Sequence, residues 1–366
     1  MDPLQIISGL QQAGLSPPNI LTLAITADCN LDCAHCWVDA GPSRVATQVP
    51  VDQLRRLLSE LVQLGGTGLR LTGGEPLLHP DWLELLGYAG ELGLEKIILQ
   101  TNAMLFGSGD LSALRELALD QLQIQVSLDG ATPETHDRVR GEGAFRQTLE
   151  SLRHMVRCGL GPQLALFMTE MRHNLQELPD IFALAVELGI GAVSSGCLVG
   201  CGRAATDQQI QPPEPEQYLT LLERYRTDND FRRHYAKLGC IAALEWCKTD
   251  GRTDCCCFIV TPYLTAAGVL YPCLMCHADE YSVSGVFEKG LAAALDEGIP
   301  LWTSLQAISR QRAVALPECQ ACALLKTCAG GCMGRAWGSF GDFMRVEDRC
   351  RQRQAIARWQ EKKEIF

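Results

Sequence analysis

The sequence has no stretch approaching ~20 uninterrupted apolar residues, so no membrane span is predicted. Its first residues, MDPLQIISGL, lack a basic region followed by an apolar block and a small-residue cleavage site. They do not read as a signal peptide, and a cytoplasmic protein is expected. There is no excess of positive charge: the net charge is -11, which argues against a nucleic-acid binder and suits a solvated surface. Internal repeats and low-complexity blocks are also missing. What the chain has in abundance is cysteine, 18 in 366 residues. In a small secreted protein that number would signal disulfides. Here the chain is long, carries no export signal, and bunches its cysteines at metal-ligand spacings, which points to a metalloprotein.

The hydrophobic content of 47% is enough for one large domain and a smaller one. Apolar runs at 21–25, 68–71, 96–99, 122–126, 163–167 and 191–194 read as strands. Between them, 51–64, 81–92, 111–119, 145–156 and 175–188 show helical periodicity. Gly65-Gly66, Gly93 and Gly189 stand where helices should stop. Six strands alternating with helices predict parallel β-α-β units, an α/β fold in the form of a partial six-stranded barrel. In such barrels chemistry sits at the C-terminal strand ends. The expected division is 1–205 for this barrel, 206–246 for a linker (rich in proline at 212–215) and a helical segment over 216–244, and 247–366 for a small cysteine-rich domain.

The first strand runs into Thr26-Ala27-Asp28-Cys29-Asn30-Leu31-Asp32-Cys33-Ala34-His35-Cys36-Trp37. Iron–sulfur cubanes are held by cysteine thiolates, and three thiolates leave one iron without a protein ligand. An open coordination position is where a metal acts on a bound molecule. The competing readings are three buried cysteines, which need no such spacing, or half of a zinc site, which lacks a local fourth ligand. His35 is expected to pack or hydrogen-bond inside this loop rather than to ligate.

Cys29, Cys33 and Cys36 followed by Trp37 resemble the Cys-x3-Cys-x2-Cys signature of the radical S-adenosylmethionine (SAM) superfamily, and the resemblance extends through most of 1–205. Gly73-Gly74-Glu75-Pro76 after the second strand is similar to that family's GGEP motif, which implies that backbone carbonyls and Glu75 hold the SAM amino group. Asn102 ends the third strand. The resemblance implies SAM-carboxylate contacts for Ser127 and Arg140, a planar guanidinium being suited to a carboxylate. It places Asp129 near the ribose or the substrate, and Leu198 and Val199 near the adenine. Gly202-Arg203-Ala204 resembles a further recurrent family element. The residues alone leave Asp129-Gly130 readable as a turn and Arg140-Gly141 as a solvated loop.

Downstream lie Cys255-Cys256-Cys257, Gly268-x4-Cys273, Cys319-x2-Cys322-x5-Cys328-x3-Cys332 and Cys350. This array resembles the SPASM domain, in which two auxiliary 4Fe–4S clusters are bound; a pair of structural zinc sites is the competing reading. Carried over by position, Cys319, Cys322, Cys328 and Cys350 hold one auxiliary cluster. Cys273 and Cys332 join upstream cysteines, Cys255 and Cys257 as the leading pair, around the other; Cys247, Cys256 and Cys276 stay open as ligands. Cys158 and Cys240 are expected in the core, Cys197 and Cys201 near the cavity, and His277 at the surface.

The resemblance implies reductive cleavage of SAM to a 5′-deoxyadenosyl radical that takes a hydrogen atom from the substrate, with reduced ferredoxin or flavodoxin as electron donor. The cofactor supplies the hard chemistry and the protein positions it. A ribosomally made peptide or protein is the leading substrate, with no nucleic acid and no membrane involved. The first strand begins at residue 21, so a separate partner is expected to recognise the peptide. The Cys-x3-Cys-x-His-Cys form of the loop also resembles members acting on haem-type tetrapyrroles or peptide-derived cofactors. Leu274 stands where anaerobic sulfatase maturases place an aspartate, which sets that activity aside. A non-catalytic iron–sulfur electron carrier is the reading from another class; it has no use for the GGEP segment.

Overall fold

The computed structural model describes residues 2–42, 48–207, 209–242 and 256–363. Six parallel strands form its centre: β1 (Ile20–Ala24), β2 (Gly68–Thr72), β3 (Lys96–Thr101), β4 (Leu122–Ser127), β5 (Leu164–Glu170) and β6 (Ala192–Cys197). Each is hydrogen-bonded to the next. All six fall on the apolar runs of the sequence. β4, LQIQVS, shows why they form: Leu122, Ile124 and Val126 are buried, while the alternate positions Gln125 and Ser127 face a cavity. Successive strand side chains point to opposite faces, so one face packs on helices and the other can bind. Arg70 and Thr72 of β2, and Phe167 and Thr169 of β5, stand on the same cavity-facing side.

Helix α1 (Pro3–Gln12) precedes β1, and its N-cap Asp2 accepts from the Leu4 amide at 3.0 Å. The crossover helices are α2 (Val51–Gln63), α3 (Trp82–Glu91), α4 (Ser108–Glu116), α5 (Pro133–Arg140), α6 (Ala144–Arg157) and α7 (Leu178–Leu188). In α2, Leu54, Leu57, Leu58 and Leu61 are buried, one stripe facing the sheet. α5 has no counterpart among the sequence expectations. It buries only His136 and Val139, too few for an apolar periodicity, and starts at Thr132-Pro133, where Thr132 accepts from the Thr135 amide.

The helix expected over 216–244 is two helices, α8 (Pro215–Thr227) and α9 (Asn229–Leu238). Asp228 leaves the helical region between them and accepts from the Phe231 amide at 2.9 Å, ending one helix and capping the next. The short strand β7 (Gly239–Cys240) then adds to β6.

Beyond residue 256 the chain returns to the sheet. β8 (Tyr263–Leu264) pairs in parallel with β1, and β9 (Leu270–Tyr271) pairs antiparallel with β8. The strand order β7-β6-β5-β4-β3-β2-β1-β8-β9 leaves β7 and β9 as edges, so the sheet is an open partial barrel. The remaining helices among the described residues are α10 (Val286–Lys289), α11 (Leu291–Ala315), α12 (Pro317–Gln320), α13 (Leu325–Cys328), α14 (Met333–Phe340) and α15 (Cys350–Lys363). α11 packs on α1 and α2, and α15 on α8. One buried apolar core runs from Ile6 to Ile356. Among the described residues no helix is long and apolar enough to cross a membrane.

Candidate active site

The loop that follows β1 is fastened from three directions. The GGEP turn approaches first: the Gly74 amide donates to Thr26 O at 2.8 Å and the Glu75 amide to Asp28 O at 2.7 Å. A Cβ on Gly73 would stand 2.7 Å from Thr26 O, and one on Gly74 only 2.1 Å from Asp28 O. Both glycines are therefore required by close backbone approach. Asn102, at the end of β3, donates its side-chain amide to Asn30 Oδ1 at 2.7 Å. From the far side, Arg203 donates to Cys33 O (2.9 Å) and Ala40 O (2.6 Å), and its Nη1 lies 2.9 Å from Asp39 Oδ1 and 3.1 Å from Asp32 Oδ1. Gly202, at φ +57, lies where a Cβ would meet Cys36 O at 2.5 Å. The Gly-Arg-Ala segment is thus a clamp on the cysteine loop.

Cys29, Cys33 and Cys36 line one cavity of about 550 Å³ over the C-terminal strand ends. Gly73, Gly74, Glu75, Asn102, Ser127, Arg140, Leu198 and Val199 line it too. Pro76 is buried and opens the short turn after Glu75 instead. Asp129 also stands back from the cavity. It is fully buried, and its Oδ1 accepts from the Thr169 amide at 2.8 Å. Its Oδ2 accepts from Arg140 Nε at 2.6 Å and lies 3.2 Å from His35 Nε2. Both carboxylate oxygens are engaged by protein groups, and Asp129, which does not line the cavity, orients Arg140 and His35. Burial opposes its ionisation, but Arg140 and His35 outweigh that and hold it well below the usual carboxylate range. Arg140 Nη1 reaches to 4.0 Å from Cys33 Sγ. His35 thus points out of the loop to Asp129 and Arg140.

Glu75 is 1% exposed, and burial raises its carboxyl to about 7. It accepts from Thr101 Oγ1 at 2.6 Å and from the Asn102 amide at 2.8 Å, which oppose that rise. Burial likewise pushes the Cys29 thiol up to about 12. Such thiols stay neutral by themselves and give up their protons to a metal. Among the described residues no three His, Cys, Asp or Glu side chains converge tightly enough for a single metal ion. A zinc ion needs sulfurs at ~2.3 Å, whereas a cubane takes one thiolate at each iron corner. Three thiols of one loop lining one cavity are a donor set for three such corners.

Two further groups of cysteines lie in the C-terminal region. Cys319, Cys322 and Cys328, close in sequence, meet Cys350 in a single small cavity lined also by Glu347, Arg353 and Gln354. Burial raises the Cys328 thiol to about 11. Cys273 and Cys276 are bridged, the Cys276 amide donating to Cys273 O at 3.2 Å, and Cys332 stands close enough to raise both thiols beyond the effect of burial. Gly334 is needed here, since a Cβ would lie 2.2 Å from Met275 O. Cys332 also lines the large cavity, with Leu274 and Met275. Cys276 is fully buried in this group, whereas Cys257 is exposed and Cys256 half-buried; Cys247 and Cys255 lie outside the described residues. Among the described residues no disulfide is formed.

Cys197 lines the large cavity as expected, but Cys240 is exposed on β7 and not in the core. His277 is half-buried, not on the surface, and its ring lies near-parallel to those of Tyr263 and Tyr271, at 5.3 and 4.9 Å, with the two tyrosines 6.4 Å from each other. Trp37 meets both Tyr263 and His277 at 5.0 Å, joining the cysteine loop to the 273–277 turn. Sequence reasoning missed Arg70, Arg335 and Arg349, which all line the large cavity. A charged residue inside the apolar run GLRLT was a readable signal for Arg70. Nothing comparable marks Arg349.

Residues 23–185 match the Radical SAM superfamily. Mycofactocin maturase MftC from Mycobacterium ulcerans is 30% identical over 333 residues, 87% of this chain and 84% of that protein. AdoMet-dependent heme synthase from Methanosarcina barkeri is 27% identical over 354 residues, 91% of this chain and 96% of that protein. Among solved structures, Streptococcus suis SuiB bound to precursor peptide SuiA superimposes with a TM-score of 0.75 at 17% identity, covering 95% of this chain and 79% of that one. Native anSMEcpe with bound AdoMet gives 0.71 at 16% identity, covering 94% and 98%. These structures support the open-barrel fold. With 30% identity sustained over 87% of its length and three thiols gathered at its strand ends, the chain belongs to the radical SAM superfamily as an enzyme whose C-terminal cysteines fit the SPASM type, and that membership implies a 4Fe–4S cluster and SAM.

Proposed function

We propose that the chain modifies a ribosomally made peptide or protein, held in the large cavity, by SAM-dependent hydrogen-atom abstraction. The observation carrying this reading is the meeting on one cavity wall of three thiols from a single loop with Glu75, Ser127 and Arg140. Bound there, a 4Fe–4S cluster and SAM supply on reduction a carbon radical able to take a hydrogen atom from the substrate. Cys29, Cys33 and Cys36 bind three irons and leave the fourth open. Glu75 and the carbonyls of Gly73 and Gly74 receive the SAM amino group, with Pro76 fixing their turn and Asn102 holding Glu75. Ser127 and Arg140 receive its carboxylate; Asp129 keeps Arg140 in place from behind. Leu198 and Val199 flank the adenine and exclude water.

Two auxiliary clusters complete the proposal. Cys319, Cys322, Cys328 and Cys350 hold one. Cys273, Cys276 and Cys332 contribute to the other, with Cys255 or Cys257 closing the set. On this reading 1–205 is the catalytic unit, 206–246 connects, and 247–366 is the auxiliary-cluster unit. Reduced ferredoxin or flavodoxin supplies the electron, a separate protein presents the peptide, and the cytoplasm is the compartment. MftC is named a maturase and SuiB was solved with a precursor peptide, which supports the substrate class. A haem-type tetrapyrrole is the second reading, favoured by a match spanning 96% of a heme synthase.

The test is anaerobic reconstitution followed by iron and sulfide analysis, then incubation with SAM and dithionite. About twelve irons per chain and release of 5′-deoxyadenosine are expected. About four irons would overturn the auxiliary clusters, and absence of 5′-deoxyadenosine would overturn the activity.

A further inference from the structure

The large cavity holds a cation that the SAM site does not use. Arg349 is fully buried and lines the cavity, yet its Nε, Nη1 and Nη2 make no hydrogen bond. Its nearest charged contact is Asp348 Oδ2, at 3.9 Å from Nε. The acids around it are already engaged. Asp348 takes a two-pronged contact from Arg335, at 2.9 and 2.7 Å. Glu347 accepts from the Cys332 amide at 2.8 Å and from Arg353 Nε. Glu170 accepts from Ser195 Oγ at 2.6 Å and Tyr218 OH at 2.7 Å, with Cys197 Sγ at 3.8 Å.

A buried guanidinium without an acceptor is strongly unfavourable. A fold that keeps one at a cavity wall has built a place for an anion, and the fork geometry of arginine selects a carboxylate. Leu274 and Met275, which the SAM reading leaves unassigned, line the same cavity and offer the rest of the ligand an apolar wall. We propose that Arg349 anchors a carboxylate of the substrate, borne on an apolar stem. The substrate class is thereby narrowed to carboxylate-bearing molecules, and the proposal rests on this cavity being the substrate's.

The test uses the reconstituted full-length chain and two probes of equal stem, octanoate and octanamide, in isothermal titration calorimetry with SAM present. Octanoate is expected to bind at least tenfold more tightly than octanamide. Arg349→Gln should lower octanoate to the octanamide level, and Arg349→Lys should restore part of the difference. Equal binding of the two probes to the unaltered chain, which needs no variant, would overturn the proposal. Displacement of octanoate by SAM would also overturn it, by assigning Arg349 to the SAM site. So would loss of octanoate binding in Arg70→Gln but not in Arg349→Gln. 5′-Deoxyadenosine formation, assayed without either probe, tests the enzymatic reading separately: a chain that makes it but treats octanoate and octanamide alike refutes the anchor alone.

Discussion

Replacing Gly74 by alanine strikes the contact on which the cysteine loop rests. The new methyl would lie 2.1 Å from Asp28 O, 2.5 Å from Asp28 C and 2.8 Å from Ala27 O. All three are backbone atoms, so no rotamer change relieves them. The GGEP turn must move away by more than an ångström, and the amide contacts of Gly74 to Thr26 O and Glu75 to Asp28 O are lost. Each such hydrogen bond contributes about 1 kcal/mol net, and overpacking costs about 1–3 kcal/mol more. A loss of roughly 3–5 kcal/mol follows, or about 4–6 °C in a chain this long from the usual entropy per residue. The turn also carries Glu75 away from the loop, so SAM affinity should fall by about tenfold or more, each factor of ten being about 1.4 kcal/mol. The assays are calorimetric melting and equilibrium dialysis of SAM with the reconstituted protein. Gly109→Ala is the control: no atom lies within 4 Å of its added methyl, and alanine is the better helix former there, so no loss is expected. If Gly74→Ala melts with the unaltered chain and binds SAM equally well, the close-approach argument is refuted.

Arg203→Ala removes the clamp on Cys33 and Ala40; iron should be stripped by a chelator several-fold faster, read as iron per chain over time, and an unchanged rate would contradict the clamp. Glu75 has a folded-state carboxyl raised to about 7, above its unfolded value. Its contribution is therefore fully present below the unfolded value and is lost as pH climbs through about 7, by roughly 3 kcal/mol in all. The cluster-free chain should lose more stability between pH 5 and 8 than Glu75→Gln does, and parallel melting curves would show the burial argument to be wrong. Cys319→Ser with Cys350→Ser should lower the iron count by about four while 5′-deoxyadenosine formation survives; an unchanged count would remove these residues from the ligand set.

The six central strands and the first cysteine loop were legible because both rest on local signals: apolar runs of strand length, and thiols within eight residues of one another. The GGEP glycines were legible as a motif, but their reason was not, since Gly74 is demanded by Asp28, a residue on another strand end. α5 was hidden because a helix that buries only His136 and Val139 has no apolar period to detect. Its last residue, Arg140, therefore read as loop. The resemblance put Asp129 near the ribose or the substrate, whereas its contacts with Arg140 and His35 are tertiary and no stretch of sequence displays them. β8 and β9 are two residues each and owe their existence to pairing with β1, a constraint no window of sequence contains. The buried state of Arg349 depends on tertiary packing in the same way.

The clamp on the cysteine loop sets an order of events during synthesis. Cys33 receives Arg140 from 107 residues further along and Arg203 from 170 residues further along. Contacts of that separation form only after the intervening chain has been made and folded. A nascent chain holding all three thiols of the loop but not yet residue 203 lacks the last of its fastenings, the donors to Cys33 O and Ala40 O. The thiols of the loop are therefore made early and its final shape is set late, by side chains that arrive with α5 and with the segment after β6.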